Sequence, residues 1–192
     1  VGDVLIFNYP RDKYVKYVKR CVAGPGDTLQ IKNKQVYIND VLSELPENYV
    51  FSQPEILKTM QQQGIYLSSN ININKDNMGP VIIPKRGDYF KIDKNTNWRE
   101  LLPIMLMEGH TAKLEKGEVS LVFTLQDPNE LWRRKEKPSV FDPYFVGGKN
   151  GNLITPWSRA IKDHNFEYLY IDDISVSEWK GYELKQNYYW AM

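Results

Sequence analysis

A mainly β chain is what this sequence predicts, a complex β fold with a large β-rich insertion that holds one or two short helices. Three observations carry that expectation. Aromatic residues make up 13% of the 192 residues, with 13 Tyr and 5 Trp, and large aromatic side chains suit a half-buried sheet better than a helical bundle. Apolar residues recur in short alternating runs bounded by Gly, Pro, Asn and Asp, the pattern of strands joined by turns. The first forty or so residues hold four such runs.

Taken in order, Asp3 to Tyr9 is a short apolar strand ended by Pro10, and Arg11-Asp12-Lys13 supplies a polar turn. Val15 to Ala23 is the second strand, followed by a strong turn signal in Gly24-Pro25-Gly26-Asp27. Thr28 to Ile31 and Gln35 to Ile38 flank Lys32-Asn33-Lys34 as a hairpin. Ser52, with Pro54 behind it, opens a helix through Ile56, Leu57 and Met60 that Gly64 stops. Val81 to Ile92 reads as strand, turn, strand. Its Arg86-Gly87-Asp88 echoes Gly2-Asp3, an echo taken as shared turn chemistry rather than a repeat. Asn97 caps a second helix carrying Trp98, Leu101, Leu102 and Met105 and ending at Gly109, with Pro103 arguing against it. Strands return at Val119 to Leu125, Phe166 to Ile171 and Tyr182 to Trp190. The expected organisation is a β core formed by residues 1–45, with 180–192 returning to it, and an insertion over residues 46–179.

The charges nearly cancel, 25 basic against 24 acidic, so no field favours nucleic acid or an anionic membrane surface. A single cysteine, Cys21, excludes an intrachain disulfide and leaves the redox compartment open. The longest uncharged apolar run, Leu101 to Met107, is broken by Pro103 and is far below the roughly 20 residues that span a bilayer. Both ends read as cut, Val1 leading straight into a strand and Trp190-Ala191-Met192 closing without a polar tail, so an internal fragment is expected.

The stretch Tyr14 to Ala23 carries the chemistry. On a strand, Val15, Tyr17, Lys19, Cys21 and Ala23 share one face, and Lys16, Val18, Arg20 and Val22 share the other. Lys19 is the only charge on its face. An ammonium among apolar neighbours loses hydration, which favours the neutral amine, and a neutral amine can act as a general base. The competing reading is a lysine that runs its stem along apolar surface with its head in water.

Gly2-Asp3-Val4-Leu5-Ile6-Phe7-Asn8-Tyr9-Pro10, then Tyr17-Val18-Lys19-Arg20-Cys21-Val22-Ala23-Gly24-Pro25-Gly26-Asp27-Thr28-Leu29, then Val36-Tyr37-Ile38-Asn39, resembles two successive signature boxes of bacterial type I signal peptidases and the hairpin behind them. The resemblance implies the signal-peptidase/repressor type of β fold and a serine-lysine dyad. Lys19 takes the place of the dyad's general base, and Tyr17 and Val18 that of residues lining the cleft for an extended substrate. Arg20 takes that of a structural companion, and Gly24, Pro25, Gly26 and Asp27 shape the turn behind the dyad. Cys21 and Ala23 depart from the family's usual small aliphatic residue and glycine.

Two family elements are absent from these residues. The Ser-Met-x-Pro box with the nucleophile is expected upstream of Val1, behind a membrane anchor. The Gly-Asp-Asn-Arg-x-x-Ser box is expected after Tyr182 to Met192, which resembles the strand leading into it.

Other candidates carry less. His110 and His164 lack Cys or His at zinc-ligand spacing, so no metal is expected. Asp172-Asp173 with Asp163 reads as loop charge, Trp132-Arg133-Arg134-Lys135 as an exposed basic run, and Ser158-Arg159 as a serine without a legible base.

The resemblance implies a leader peptidase that removes signal peptides from exported preproteins. It needs no cofactor, engages no nucleic acid and is anchored in the bacterial inner membrane with its catalytic domain facing the periplasm or outside. This chain would be an inactive part of it. Two alternatives share or drop the chemistry: a self-cleaving repressor-type Ser/Lys peptidase domain, and a non-catalytic β-rich envelope binding domain.

Overall fold

A computed structural model describes residues 2–10, 12–44, 76–125, 152–154, 156 and 166–192. The fold is mainly β. The strands are β1 (Val4–Tyr9), β2 (Asp12–Ala23), β3 (Thr28–Lys32), β4 (Gln35–Ile38), β5 (Val41–Leu42), β6 (Met78–Ile82), β7 (Tyr89–Lys91), β8 (Ala112–Lys116), β9 (Val119–Phe123), β10 (Asn152–Ile154), β11 (Leu169–Ile171), β12 (Ile174–Ser175), β13 (Gly181–Glu183) and β14 (Trp190–Ala191), with one α-helix among the described residues, α1 (Trp98–Met107). They form sheets in the orders β1-β2-β14, β5-β4-β3-β6, β10-β9-β8-β11-β12 and β13-β7. The chain divides into two compact units, one of residues 1–5, 19–88 and 184–192, the other of residues 6–18 and 89–183.

In the first unit, β3 pairs with β4 through the two-residue turn Asn33-Lys34, and β4 with β5 through Asn39-Asp40. Both residues of each turn have positive φ, between 49° and 69°, the requirement of the tight turn that matches strand twist. Alternation along β3 buries Leu29 and Ile31 while Lys32 faces water. These two pack with Ala23, Val36, Met78 and Ile83, each large aliphatic side chain adding roughly 1.5–3 kcal/mol by leaving water.

In the second unit, β8 and β9 form a hairpin, β11 pairs antiparallel with β8, and β10 lies parallel to β9. The helix α1 buries Trp98, Leu101, Leu102, Pro103, Met105 and Leu106. Its end is set by Gly109 (φ 93°): Gly109 N–H donates to Leu106 C=O at 3.1 Å and His110 N–H to Met105 C=O at 3.0 Å, the two bonds of a Schellman motif. Among the described residues no helix is long and apolar enough to cross a membrane.

Several expectations change in detail. Asp12 and Lys13 already belong to β2, the neighbour of β1 in its sheet. Asn97 occupies the N-cap position but its side chain makes no capping bond; its carbonyl takes the Glu100 and Leu101 N–H groups instead. Pro103 is accommodated inside α1, where burial offsets the missing backbone donor. The single strand expected over Tyr182 to Trp190 is two, β13 and β14. Leu184 and Tyr188 give their N–H groups to the turn before β7 and to Pro84 rather than to one continuous ladder. The helix expected from Ser52 lies outside the described residues.

Candidate active site

Strand β2 carries every residue singled out for chemistry except the turn that follows it. Its edges at Arg20 to Ala23 are occupied on both sides. Gly2 N–H donates to Cys21 C=O at 2.7 Å and Cys21 N–H donates to Asp3 C=O at 2.8 Å. On the other edge Trp190 and Ala191 of β14 pair with Ala23 and Cys21, and Arg20 and Met192 exchange N–H···O bonds at 2.9 Å. The Arg20 guanidinium donates to the Gly2 carbonyl. Arg20 thus ties together the chain leading into β1, β2 and β14.

The alternation read from the sequence is visible at the C-terminal end of β2. Cys21 and Ala23 are buried, 5% and 0% exposed. Tyr17, 37% exposed, lies with its ring 4.9 Å from that of Tyr9 and 6.4 Å from that of Phe7. Val18, on the opposite face, is 62% exposed. Lys19 does not meet the expectation of apolar shielding, because its side chain is exposed. Alternation assigns a residue to a face, but desolvation needs a second layer of atoms over that face, and the described residues supply none at Lys19.

The turn behind β2 is closed by its own acid. Asp27 Oδ2 accepts from Gly24 N–H at 2.8 Å, Asp27 N–H donates to Gly24 C=O at 3.1 Å, and Gly26 takes φ 82°. Asn39 Nδ2 donates to Asp27 Oδ1 at 2.9 Å, while Asn39 Oδ1 accepts from Thr28 N–H at 2.9 Å. The Gly24 N–H first, and then the Asn39 amide, hold the Asp27 carboxyl below the usual carboxylate range against the opposing effect of burial. Asp27 therefore joins the end of β2 to the β4–β5 turn.

A second polar cluster, in the other unit, was not singled out from the sequence. His110 Nδ1 lies 2.6 Å from Asp172 Oδ2, and Asp172 Oδ1 accepts from Thr111 N–H at 2.8 Å and from its hydroxyl at 3.1 Å. The Thr111 N–H is the main cause that lowers the Asp172 pKa; burial opposes it, and the His110 and Thr111 side chains assist. An ionised Asp172 can only accept, so Nδ1 of His110 carries the proton. Tyr182 donates its hydroxyl to Glu108, and the His110 ring meets Trp179 and Tyr182 edge-on at 6.0 and 5.2 Å. The sequence met its members only separately, His110 as an isolated histidine and Asp172-Asp173 as loop charge, since residues 62 apart share no local pattern. Among the described residues no group of three or more His, Cys, Asp and Glu is placed to hold a metal ion. His164, Asp163, Trp132 to Lys135 and Ser158-Arg159 lie outside the described residues.

Residues 1–98 match the family described as signal peptidase, peptidase S26. The chain belongs to that family. The match covers β2, the Gly24–Asp27 turn and all of β3 to β7. Over 94 residues the chain is 35% identical to signal peptidase I of Bacillus amyloliquefaciens, covering 49% of this chain and 42% of that protein. It is 34% identical over 94 residues to signal peptidase I P of Bacillus subtilis subsp. natto, covering 49% and 43%. It is 28% identical over 100 residues to signal peptidase I of Pseudomonas aeruginosa, covering 50% and 31%. The chain thus aligns with less than half the length of these signal peptidases. No solved structure is significantly similar to it.

Proposed function

We propose that this chain is the lysine-bearing segment of a signal peptidase I, a serine endopeptidase that removes N-terminal signal peptides from exported preproteins. The carrying observation is that the family match includes the whole of β2 with Lys19 and the Gly24–Asp27 turn. In this reading residues 1–45 and 180–192 form the catalytic core segment, residues 46–179 are an insertion, and a membrane anchor outside these residues holds the catalytic face outside the bacterial inner membrane.

Lys19, as a neutral amine, takes the proton of a serine hydroxyl while the serine oxygen attacks the scissile carbonyl. The amine proton then goes to the leaving amine, and water resolves the acyl-enzyme, its own proton returning through Lys19. No metal or organic cofactor enters this sequence of steps. Tyr17 and Val18 line the path of the extended substrate. The exposed Lys19 fits a base that becomes desolvated only when the serine-bearing segment and substrate cover it. Arg20 and the Gly24, Pro25, Gly26 and Asp27 turn hold β2 in place through the bonds described above.

These 192 residues contain no Ser-Met-x-Pro box, so a base without its nucleophile is expected to be inert. Incubated with a signal-peptide substrate, the chain should show no turnover above a buffer blank; turnover abolished by replacing one of its own serines would overturn the reading. In a peptidase containing this segment, Lys19→Arg and Lys19→Met should both abolish cleavage, since guanidinium is not deprotonated and methionine has no base. Lys16→Met, on the opposite face of β2, should leave cleavage within about threefold.

A further inference from the structure

The Gly2-Asp3 and Gly87-Asp88 pairs that echo one another in the sequence share one hydrogen-bonding device with Gly26-Asp27. Gly2, Gly26 and Gly87 have φ of 98°, 82° and 88°. In each pair the glycine N–H donates to the carbonyl of one distant residue, and that residue's N–H donates back to the aspartate carbonyl. The gripped residues are Cys21 (2.7 and 2.8 Å), Ile83 (2.8 and 2.8 Å) and Leu184 (3.0 and 2.9 Å). The second and third corners are also closed internally in the same way. Asp27 caps Gly24 N–H at 2.8 Å and Asp88 caps Lys85 N–H at 2.9 Å, and each aspartate N–H returns to the first residue's carbonyl at 3.1 Å.

The three grips run in series. Cys21 leads into the Gly24–Asp27 corner, which grips Ile83. Ile83 leads into the Lys85–Asp88 corner, which grips Leu184. Beyond Leu184, Asn187 Oδ1 accepts from Arg86 N–H at 2.9 Å and Tyr188 N–H donates to Pro84 C=O at 3.1 Å. The chain then reaches β14, whose Trp190 and Ala191 pair with Ala23 and Cys21. The circuit therefore starts and ends on residues 20–23 of β2, directly after Lys19, and every member lies in the first unit.

We propose that Asp88 is a positioning residue for Lys19, acting through this circuit. The proposal rests on Lys19 being the general base. Asp88 orders the Lys85–Asp88 corner, the corner places Leu184 and Asn187, and these set where β14 lies along the edge of β2. Lys85 is exposed, so its N–H is rehydrated when the Asp88 carboxylate is removed. The loss then falls on the geometry of the corner more than on global stability, and small misplacements of a catalytic group are costly to turnover.

The test is made in an active peptidase containing this segment, with hydrogen exchange on the present chain alongside. Asp88→Ala should lower kcat about tenfold with KM within about threefold. Asp88→Asn keeps an acceptor oxygen for Lys85 N–H and should restore kcat to within about twofold. Asp93→Ala, which removes a similar cap on Asn95 N–H at 2.8 Å in an exposed turn, should leave kcat within about twofold. In exchange, Asp88→Ala should speed the Leu184, Tyr188 and Met192 amides about tenfold or more while the Ile31 amide of β3 is unchanged. The proposal is overturned by wild-type kcat in Asp88→Ala, by equal losses in Asp88→Ala and Asp88→Asn, or by a kcat loss with unchanged exchange. If Lys19→Met keeps its activity, the general-base reading falls and takes the catalytic role of Asp88 with it. The exchange result still reports the circuit by itself.

Discussion

Replacing Asp27 by alanine removes two bonds of unequal worth. Gly24 is buried, so its N–H, now 2.8 Å from Asp27 Oδ2, loses its partner where water reaches it less readily. Asn39 is exposed, so its amide, 2.9 Å from Oδ1, is rehydrated at little cost. The unpaired buried donor dominates and sets the loss at about 2 kcal/mol. With a urea m-value of about 2 kcal/mol per M, that is a midpoint about 1 M lower. Asp27→Asn keeps one acceptor and should lose about half as much. Because the folded-state pKa of Asp27 is depressed, its contribution is fully present above the unfolded value of about 3.9 and is lost as pH falls through the folded value. Urea titrations at pH 7 and pH 3 should therefore show a gap between wild type and Asp27→Ala that is larger at the first than at the second. A gap below about 0.5 kcal/mol at pH 7, or one that does not shrink on acidification, would refute the reasoning.

Other perturbations separate space from backbone conformation and charge from shape. Gly79→Ala would place a Cβ 2.6 Å from the Leu29 carbonyl oxygen and 3.1 Å from Val81 N at φ 91°, and neither backbone atom can yield. Gly26→Ala meets only the flexible Lys85 Cδ at 3.3 Å, so its loss is the left-handed backbone strain of about 1–2 kcal/mol. Thermal unfolding should rank Gly79→Ala as the more damaging. Asp172→Asn tolerates the positive φ of 50° at that position and so isolates the charge. It should lower stability by about 1 kcal/mol near neutral pH. Because the Asp172 pKa is depressed, that difference should hold down to the unfolded value of about 3.9 and be lost as pH falls through the lower folded value. A difference that does not shrink on acidification would show that the carboxylate is not what Thr111 and His110 recognise.

What could be read from the residues was what short-range geometry decides. The Gly24–Asp27 turn, the Asn33-Lys34 hairpin, the start of α1 at Trp98 and its stop at Gly109, and the placement of Cys21 and Ala23 on one face of β2 depend on backbone preferences and on the period of a strand. They are set within a few residues and need no knowledge of the partner. The Gly-Asp echo was legible as turn chemistry for the same reason. Its use as a reciprocal grip was not, because the gripped residues lie 19, 57 and 97 positions beyond Gly2, Gly26 and Gly87.

Contacts across the chain belong to tertiary structure alone. Asn187 and Arg86 are 101 residues apart and His110 and Asp172 are 62 apart, and no periodicity links either pair. The break between β13 and β14 is decided in the same way, since Leu184 and Tyr188 give their N–H groups to distant carbonyls rather than to a continuous strand. The exposure of Lys19 is the instructive case. Its face was determined by alternation along β2, but whether a face is wet depends on what lies over it, and that is a property of other segments in space.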